Sequence, residues 1–204
     1  MRTAFVESLI KIAKKDKRVF LLTGDLGYGV LEIFQHSFPD RFLNMGVAEA
    51  NMMGAAAGLA LSGKIPYVYS IATFAVMRGL EQIRNDICYQ KLNVKIVGVG
   101  SGLVYSLYGA THQAIDDISV MRSLPNMTVI SPADPIETDL AVQFSLKHTG
   151  PVYLRIASKG EPNIHQKKPD FKLSQGIVIA NGNDLTIMGT GNILQNAQLA
   201  AREL

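Results

Sequence analysis

Between Thr3 and Ala13, Phe5, Leu9, Ile10 and Ile12 recur at mostly helical spacing, and Arg18-Val-Phe-Leu-Leu-Thr23 then runs apolar until Gly24-Asp25 ends it. A helix followed by a strand is predicted. The alternation continues with a strand over 41–45, a helix over 48–61, a strand over 65–70, a helix over 74–89 and a strand over 94–99. A Gly- and Tyr-rich loop over 98–109 follows, then a helix over 116–123, a strand over 127–131, a helix over 135–147 and a strand over 152–156. Strands this apolar, alternating with helices, predict an α/β fold: a parallel sheet covered by helices on both faces.

After Ile156 the pattern gives way to polar, turn-rich sequence containing Lys159, Gly160, Pro162, Lys167, Lys168 and Pro169. Residues 1–156 are therefore expected to form the main domain, with a linker over 157–175. Residues 176–204 are expected to begin a second domain, with strands over 176–180 and 184–189, a helix over 193–204, and Asn192 as its candidate N-cap. About 30 residues cannot enclose a core of their own. The tail is expected to be the truncated start of that domain, loosely packed.

The chain has 204 residues, 48% hydrophobic and 18% charged, which excludes the disordered, collagen-like and coiled-coil classes. Its net charge of +3, scattered along the chain, sets nucleic acid aside as a partner. A single cysteine, Cys88, allows no internal disulfide, no closely spaced Cys and His set suggests a metal site, and a reducing cytoplasmic location is expected. Glu7 interrupts the first apolar stretch, which reads as an amphipathic helix instead of a signal peptide. No apolar run of about 18 residues exists, so no membrane contact is expected.

The densest chemical signal is the run from Asn44 to Leu61, where Gly46-Val-Ala-Glu49 leads into a helix of almost wholly apolar or small residues. Glu49, in its first turn, is poorly solvated; it either performs chemistry or simply complements the helix dipole. Gly54 and Gly58, four apart on one face, suit close approach of another backbone. Phe74 offers a flat apolar face, although it could equally be a core aromatic. His112 follows a buried strand in a Gly-flanked loop, at the sheet edge where open α/β folds place ligands, although a loop histidine can also be merely solvated. Arg155 and Lys159 lie at and beyond a strand end, as phosphate contacts or as surface charge. Gly24-Asp25-Leu26-Gly27-Tyr28-Gly29 lacks the spacing of a dinucleotide loop and reads as a strand-end loop near a ligand.

These segments, in order, resemble the pyrimidine-binding domain of transketolase and related thiamine diphosphate enzymes. Gly46-Val-Ala-Glu49 matches the family's Gly-x-Ala-Glu element, Tyr69-Ser-Ile-Ala-Thr-Phe74 its ring-stacking segment, and Gly109-Ala-Thr-His-Gln113 its Gly-Pro-Thr-His-Gln. Arg122-Ser-Leu-Pro-Asn126 and Ser131-Pro-Ala-Asp134 extend the match, which runs from residue 1 to 156. The resemblance implies that Glu49 hydrogen-bonds the aminopyrimidine ring of thiamine diphosphate and favours the tautomer that removes the thiazolium proton. It implies Phe74, Met77 and Arg78 beside that ring, and Asp25, Tyr108, His112, Arg155 and Lys159 toward substrate, with His112 also able to move a proton. Leu107-Tyr108 replaces the acidic residues that sugar-transferring members carry before Gly-Pro-Thr-His. Ser158-Lys159 replaces their Ser-Arg.

No diphosphate-binding domain accompanies these elements, so the resemblance implies half of a cofactor site. The expected protein is the C-terminal subunit of a split transketolase, transferring a two-carbon ketol unit between sugar phosphates. Its expected partner is an N-terminal diphosphate-binding subunit that holds most of the Mg²⁺ ligands, with this chain itself dimeric. The beta subunit of a 2-oxo acid dehydrogenase, a deoxyxylulose-phosphate synthase-like enzyme and a degenerate, non-catalytic binding subunit remain alternatives.

Overall fold

The computed structural model describes residues 1–158 and 160–204. Helix α1 (Arg2–Lys15) leads into β1 (Val19–Thr23), a short helix α2 (Glu32–Ser37) into β2 (Phe42–Asn44), and α3 (Glu49–Leu61) into β3 (Ile65–Ile71). Helices α4 (Ala72–Arg78) and α5 (Leu80–Gln82) precede β4 (Lys95–Val99), followed by α6 (Asp117–Ser123), β5 (Thr128–Ile130), α7 (Pro135–Lys147), β6 (Val152–Ile156) and α8 (Leu194–Glu203). The six strands form one parallel sheet in the order β2-β1-β3-β4-β6-β5.

Strand side chains alternate between two cores, as a sheet covered on both faces requires. Leu21, Tyr67, Tyr69, Val97 and Leu154 join Phe5 and Leu9 of α1 and Val142 of α7 on one face. Leu22, Val68, Ile96 and Tyr153 join Met52 and Met53 of α3, Val76 of α4 and Met121 of α6 on the other. Strand order reverses beside β1: its crossover leads to β2 on one side, while β3 lies on the other. The carboxyl ends of strands at such a reversal leave a crevice, the usual ligand position in open α/β sheets.

The predicted strands and long helices recur with three corrections. The helix predicted over 74–89 is broken, because α4 stops at Gly79, where an added Cβ would lie 2.7 Å from Met53 Cγ of α3, and a π-helical stretch occupies Ile83–Cys88. Helix α2 has no counterpart in the sequence pattern; of its six residues only Phe34 is buried, too little for an amphipathic signal. Residues 176–189 pair with no strand and are mostly exposed, and α8 is entered through a 3₁₀ turn (Gly191–Ile193) without a side-chain cap from Asn192. The segment after β6 is tied to the domain most firmly around His165, with further contacts from Phe171 to Phe144 and from Thr190 Oγ1 to the Ser131 carbonyl. Asp134 Oδ2 accepts from the backbone N–H groups of Ile164 and His165, and Glu137 pairs with the His165 ring at 2.6 Å.

Strand β4 begins with a fully buried lysine. Lys95 Nζ donates to the carbonyls of His148 and Gly150 at 2.8 Å each, and burial pulls its pKa down from 10.5 to about 7. Between pH 7 and about 10 the unfolded chain therefore holds a proton that the folded chain has released, so stability rises with pH. Above that window, the buried phenol of Tyr69, pushed up to about 12, reverses the trend. Urea unfolding at pH 7, 8 and 9 should show the rise in the native chain, and a Lys95→Met variant should lack it. Equal slopes in the two proteins would contradict this assignment.

Candidate functional site

Strand β2 delivers the chain through Asn44 and Gly46, whose φ of 70° is accessible to glycine at little cost, into the first turn of α3. Asn44 frames this bend. Its Oδ1 accepts from the N–H of Gly46 at 3.0 Å and of Asp25 at 3.1 Å, while its Nδ2 donates to Asp25 Oδ1 at 2.8 Å. Tyr28 OH donates to the same Asp25 oxygen at 2.9 Å. These contacts hold the exposed Asp25 carboxyl below its ordinary range, with Asn44 the larger cause and Tyr28 the second. Asp25 itself has a φ of 57°, a left-handed conformation stabilised within this network.

Glu49 opens α3 and is 2% exposed. Its Oε1 accepts from Ser70 Oγ, near the carboxyl end of β3, at 3.2 Å, and its Oε2 accepts from Arg78 NH1 at 3.0 Å. An added Cβ on Gly24, after β1, would lie 3.6 Å from Glu49 Oε1, so the carboxylate sits at the reversal point between β1 and β3. Arg78 also stacks on Phe74, its guanidinium carbon 3.9 Å from the ring centroid. The His112 ring meets Phe74 edge-on at 4.9 Å, and the Tyr108 ring lies 5.1 Å from that of His112.

The loop bearing His112 is fixed at both ends. Gly102 and Ala114 exchange two backbone hydrogen bonds across its base, and Thr73 Oγ1 of α4 donates to the Thr111 carbonyl at 2.8 Å. Glu49, Phe74, Arg78, His112 and Tyr108 thus form one group, with Asp25 beside it on the β1 loop. Met77, 39% exposed, lies at the rim. A buried carboxylate next to the face of an aromatic ring can bind a flat heterocycle that shares a proton with the carboxyl group.

Arg155 requires a correction. Its guanidinium is buried, donating from Nε to Asp117 Oδ2 at 2.8 Å and from NH2 to the Ala114 carbonyl at 2.9 Å. It braces the base of the His112 loop and is not presented to a phosphate group. Lys159 lies outside the described residues. Apart from the helix's own backbone, no described residue lies within 4 Å of a Cβ added to Gly54 or Gly58, so that face is open to a close approach from outside them. Sequence alone does not single out Ser70 or Asn44. Ser70 lies within the ring-stacking segment, but its direction toward Glu49 depends on the placement of β3 against α3.

Fold and site together define a pyrimidine-binding domain of the transketolase type. Residues 1–161 match the family model described as transketolase, pyrimidine binding domain, and the chain belongs to that family. It is 39% identical over 205 residues to the 6-deoxy-6-sulfo-D-fructose transketolase subunit SqwH of Clostridium sp. (strain MSTE9), covering all of this chain and 64% of that protein. It is 35% identical over 201 residues to an apulose-4-phosphate transketolase subunit of Phocaeicola vulgatus, covering 98% of this chain and 64% of that one. The solved structure titled split gene transketolase, inactive beta4 tetramer, superposes with a TM-score of 0.86 at 39% identity, covering 99% of this chain and 67% of that chain. The chain thus spans about two thirds of the length of these relatives. Among the described residues no helix is long and apolar enough to cross a membrane.

Proposed function

We propose that this chain is the pyrimidine-binding part of a split thiamine diphosphate-dependent transketolase that transfers a two-carbon ketol unit between sugar phosphates. The observation that carries this reading is the 2% exposed Glu49 carboxylate at the β1–β3 reversal, joined to the Phe74 face through the Arg78 guanidinium. The residues fit the cofactor's aminopyrimidine: a flat ring needs a flat partner, which Phe74 supplies, and a ring nitrogen needs a proton-sharing carboxyl group, which Glu49 supplies. When bound, the cofactor furnishes the carbanion chemistry of ketol transfer. Glu49 would hold a proton at Oε2 toward the ring nitrogen, with Ser70 fixing Oε1. Phe74 would orient the ring, and the surrounding apolar helix would exclude water. His112, packed between Phe74 and Tyr108, would meet a substrate hydroxyl or carbonyl group, with Asp25 beside it on the β1 loop.

The reading assigns Mg²⁺ and the diphosphate to a partner subunit, and a dimer of this chain to the complete assembly. Residues 1–156 would act as the pyrimidine-binding domain, 157–175 as a linker, and 176–204 as the start of a C-terminal domain. Mixing this chain with a diphosphate-binding transketolase subunit, thiamine diphosphate and Mg²⁺ should yield two-carbon transfer from xylulose 5-phosphate. Neither chain alone should be active. Turnover of pyruvate in place of the ketose phosphate would overturn the transketolase assignment in favour of a synthase- or dehydrogenase-type reaction.

A further inference from the structure

We infer that the Arg78 guanidinium is a resident occupant of the aminopyrimidine position, holding Glu49 and the face of Phe74 until the incoming ring displaces it. The inference rests on the proposed reading of Glu49 and Phe74 as the ring's partners. A guanidinium is planar, delocalised and rich in N–H donors, so it can stack and hydrogen-bond at once. Arg78 does both: it lies 3.9 Å over Phe74 and donates to Glu49 Oε2 at 3.0 Å. These are the two contacts the heterocycle would make. Arg78 covers one face of Phe74, so a ring cannot stack on that face while Arg78 stays there.

The remaining contacts suit displacement. Ser70 holds Glu49 through the other oxygen, Oε1, so the carboxylate keeps its position when Oε2 is vacated. The Arg78 side chain is 46% exposed, whereas that of Glu49 is 1% exposed, so of the two it is Arg78 that has somewhere to go. It borders an open cleft of about 620 Å³ lined also by Met77, Leu80, Glu81 and Arg84. The Glu81 carboxylate offers the departing guanidinium an alternative counter-ion in that cleft. The family resemblance groups Arg78 with the cofactor contacts; this arrangement makes it the ring's competitor.

The test titrates 4-amino-2,5-dimethylpyrimidine, the cofactor's ring without its diphosphate arm, into the full chain and follows binding by ligand-observed NMR. Removing an occupant present in most molecules should raise apparent affinity, so Arg78→Ala should bind the ring about 5-fold or more tightly than the native chain. Arg78→Lys, which keeps the charge but not the flat face, should fall between them. In Arg78→Ala, free methylguanidinium should compete with the pyrimidine. Equal or weaker binding by Arg78→Ala would overturn the inference alone, because the ring would still bind. Absence of binding by all three proteins at millimolar pyrimidine, with the diphosphate-binding partner subunit present, would instead remove the cofactor reading on which it rests.

Discussion

With Glu49 replaced by glutamine, two-carbon transfer by the assembled enzyme falls by about 10²- to 10⁴-fold while the chain folds as before, the range expected for losing a positioned acid or base. Glutamine has the shape of glutamate, and its amide oxygen can accept from Arg78 NH1 or Ser70 Oγ as the carboxylate does. What it lacks is a titratable proton to share with a ring nitrogen. The substitution thus separates chemistry from architecture. Turnover should fall far more than cofactor affinity, because the Phe74 face and Ser70 contact persist. Stopped-flow or coupled-assay turnover gives the first quantity, calorimetric titration of thiamine diphosphate the second, and urea unfolding controls for the fold. Unchanged turnover in a well-folded Glu49→Gln enzyme would end the case for Glu49 as the activating acid.

Glu49 can be picked from sequence because a charged residue within an almost wholly small and apolar run is conspicuous, and because the Gly-Val-Ala-Glu spacing carries its own resemblance. The strands are legible for a related reason. Both faces of β3 and β4 are buried, so Ile65–Ile71 and Lys95–Val99 read as short, dense runs. Lys95 marks the limit of that pattern, since nothing local announces that its ammonium group will meet the carbonyls of His148 and Gly150. The break at Gly79 is hidden likewise. Gly79 packs against Met53 on another helix with no room for a Cβ, a long-range contact that helical periodicity within 74–89 does not register. Strand-like alternation over 176–189 is a true local preference, yet a strand needs a neighbour, and none is found among the described residues. Arg155 reads in sequence as a surface charge or phosphate grip because it sits near a strand end. Its partner Asp117 lies 38 residues away along the chain, and only the crossover through β5 and α7 brings the two together.

That pair supports the largest expected loss of stability. Asp117 is fully buried, and its Oδ2 accepts from Tyr153 OH at 2.7 Å and Arg155 Nε at 2.8 Å. Burial, with the neighbouring carboxylate as the next cause, pushes the Tyr153 phenol well above its ordinary pKa, so it remains a donor. Replacing Asp117 with alanine strands the Arg155 guanidinium, itself 10% exposed, without a counter-ion. Breaking one side of a buried pair costs about 3–5 kcal/mol. At roughly 2–4 °C per kcal/mol for a domain of this size, Tm should drop by about 6–20 °C. The intact pair need not be worth that much, because its gain is set against the desolvation of both charges. Combining Asp117→Leu and Arg155→Met with Tyr153→Phe should therefore recover most of the lost stability. It should not recover activity. Arg155 NH2 also donates to the Ala114 carbonyl at the base of the loop bearing His112, and the apolar replacement leaves that loop without its brace. Thermal unfolding and turnover of the single and triple variants separate the two roles. A loss below about 1 kcal/mol in Asp117→Ala, the range of an exposed ion pair, would show that water reaches Arg155 and that the pair is not part of the closed core.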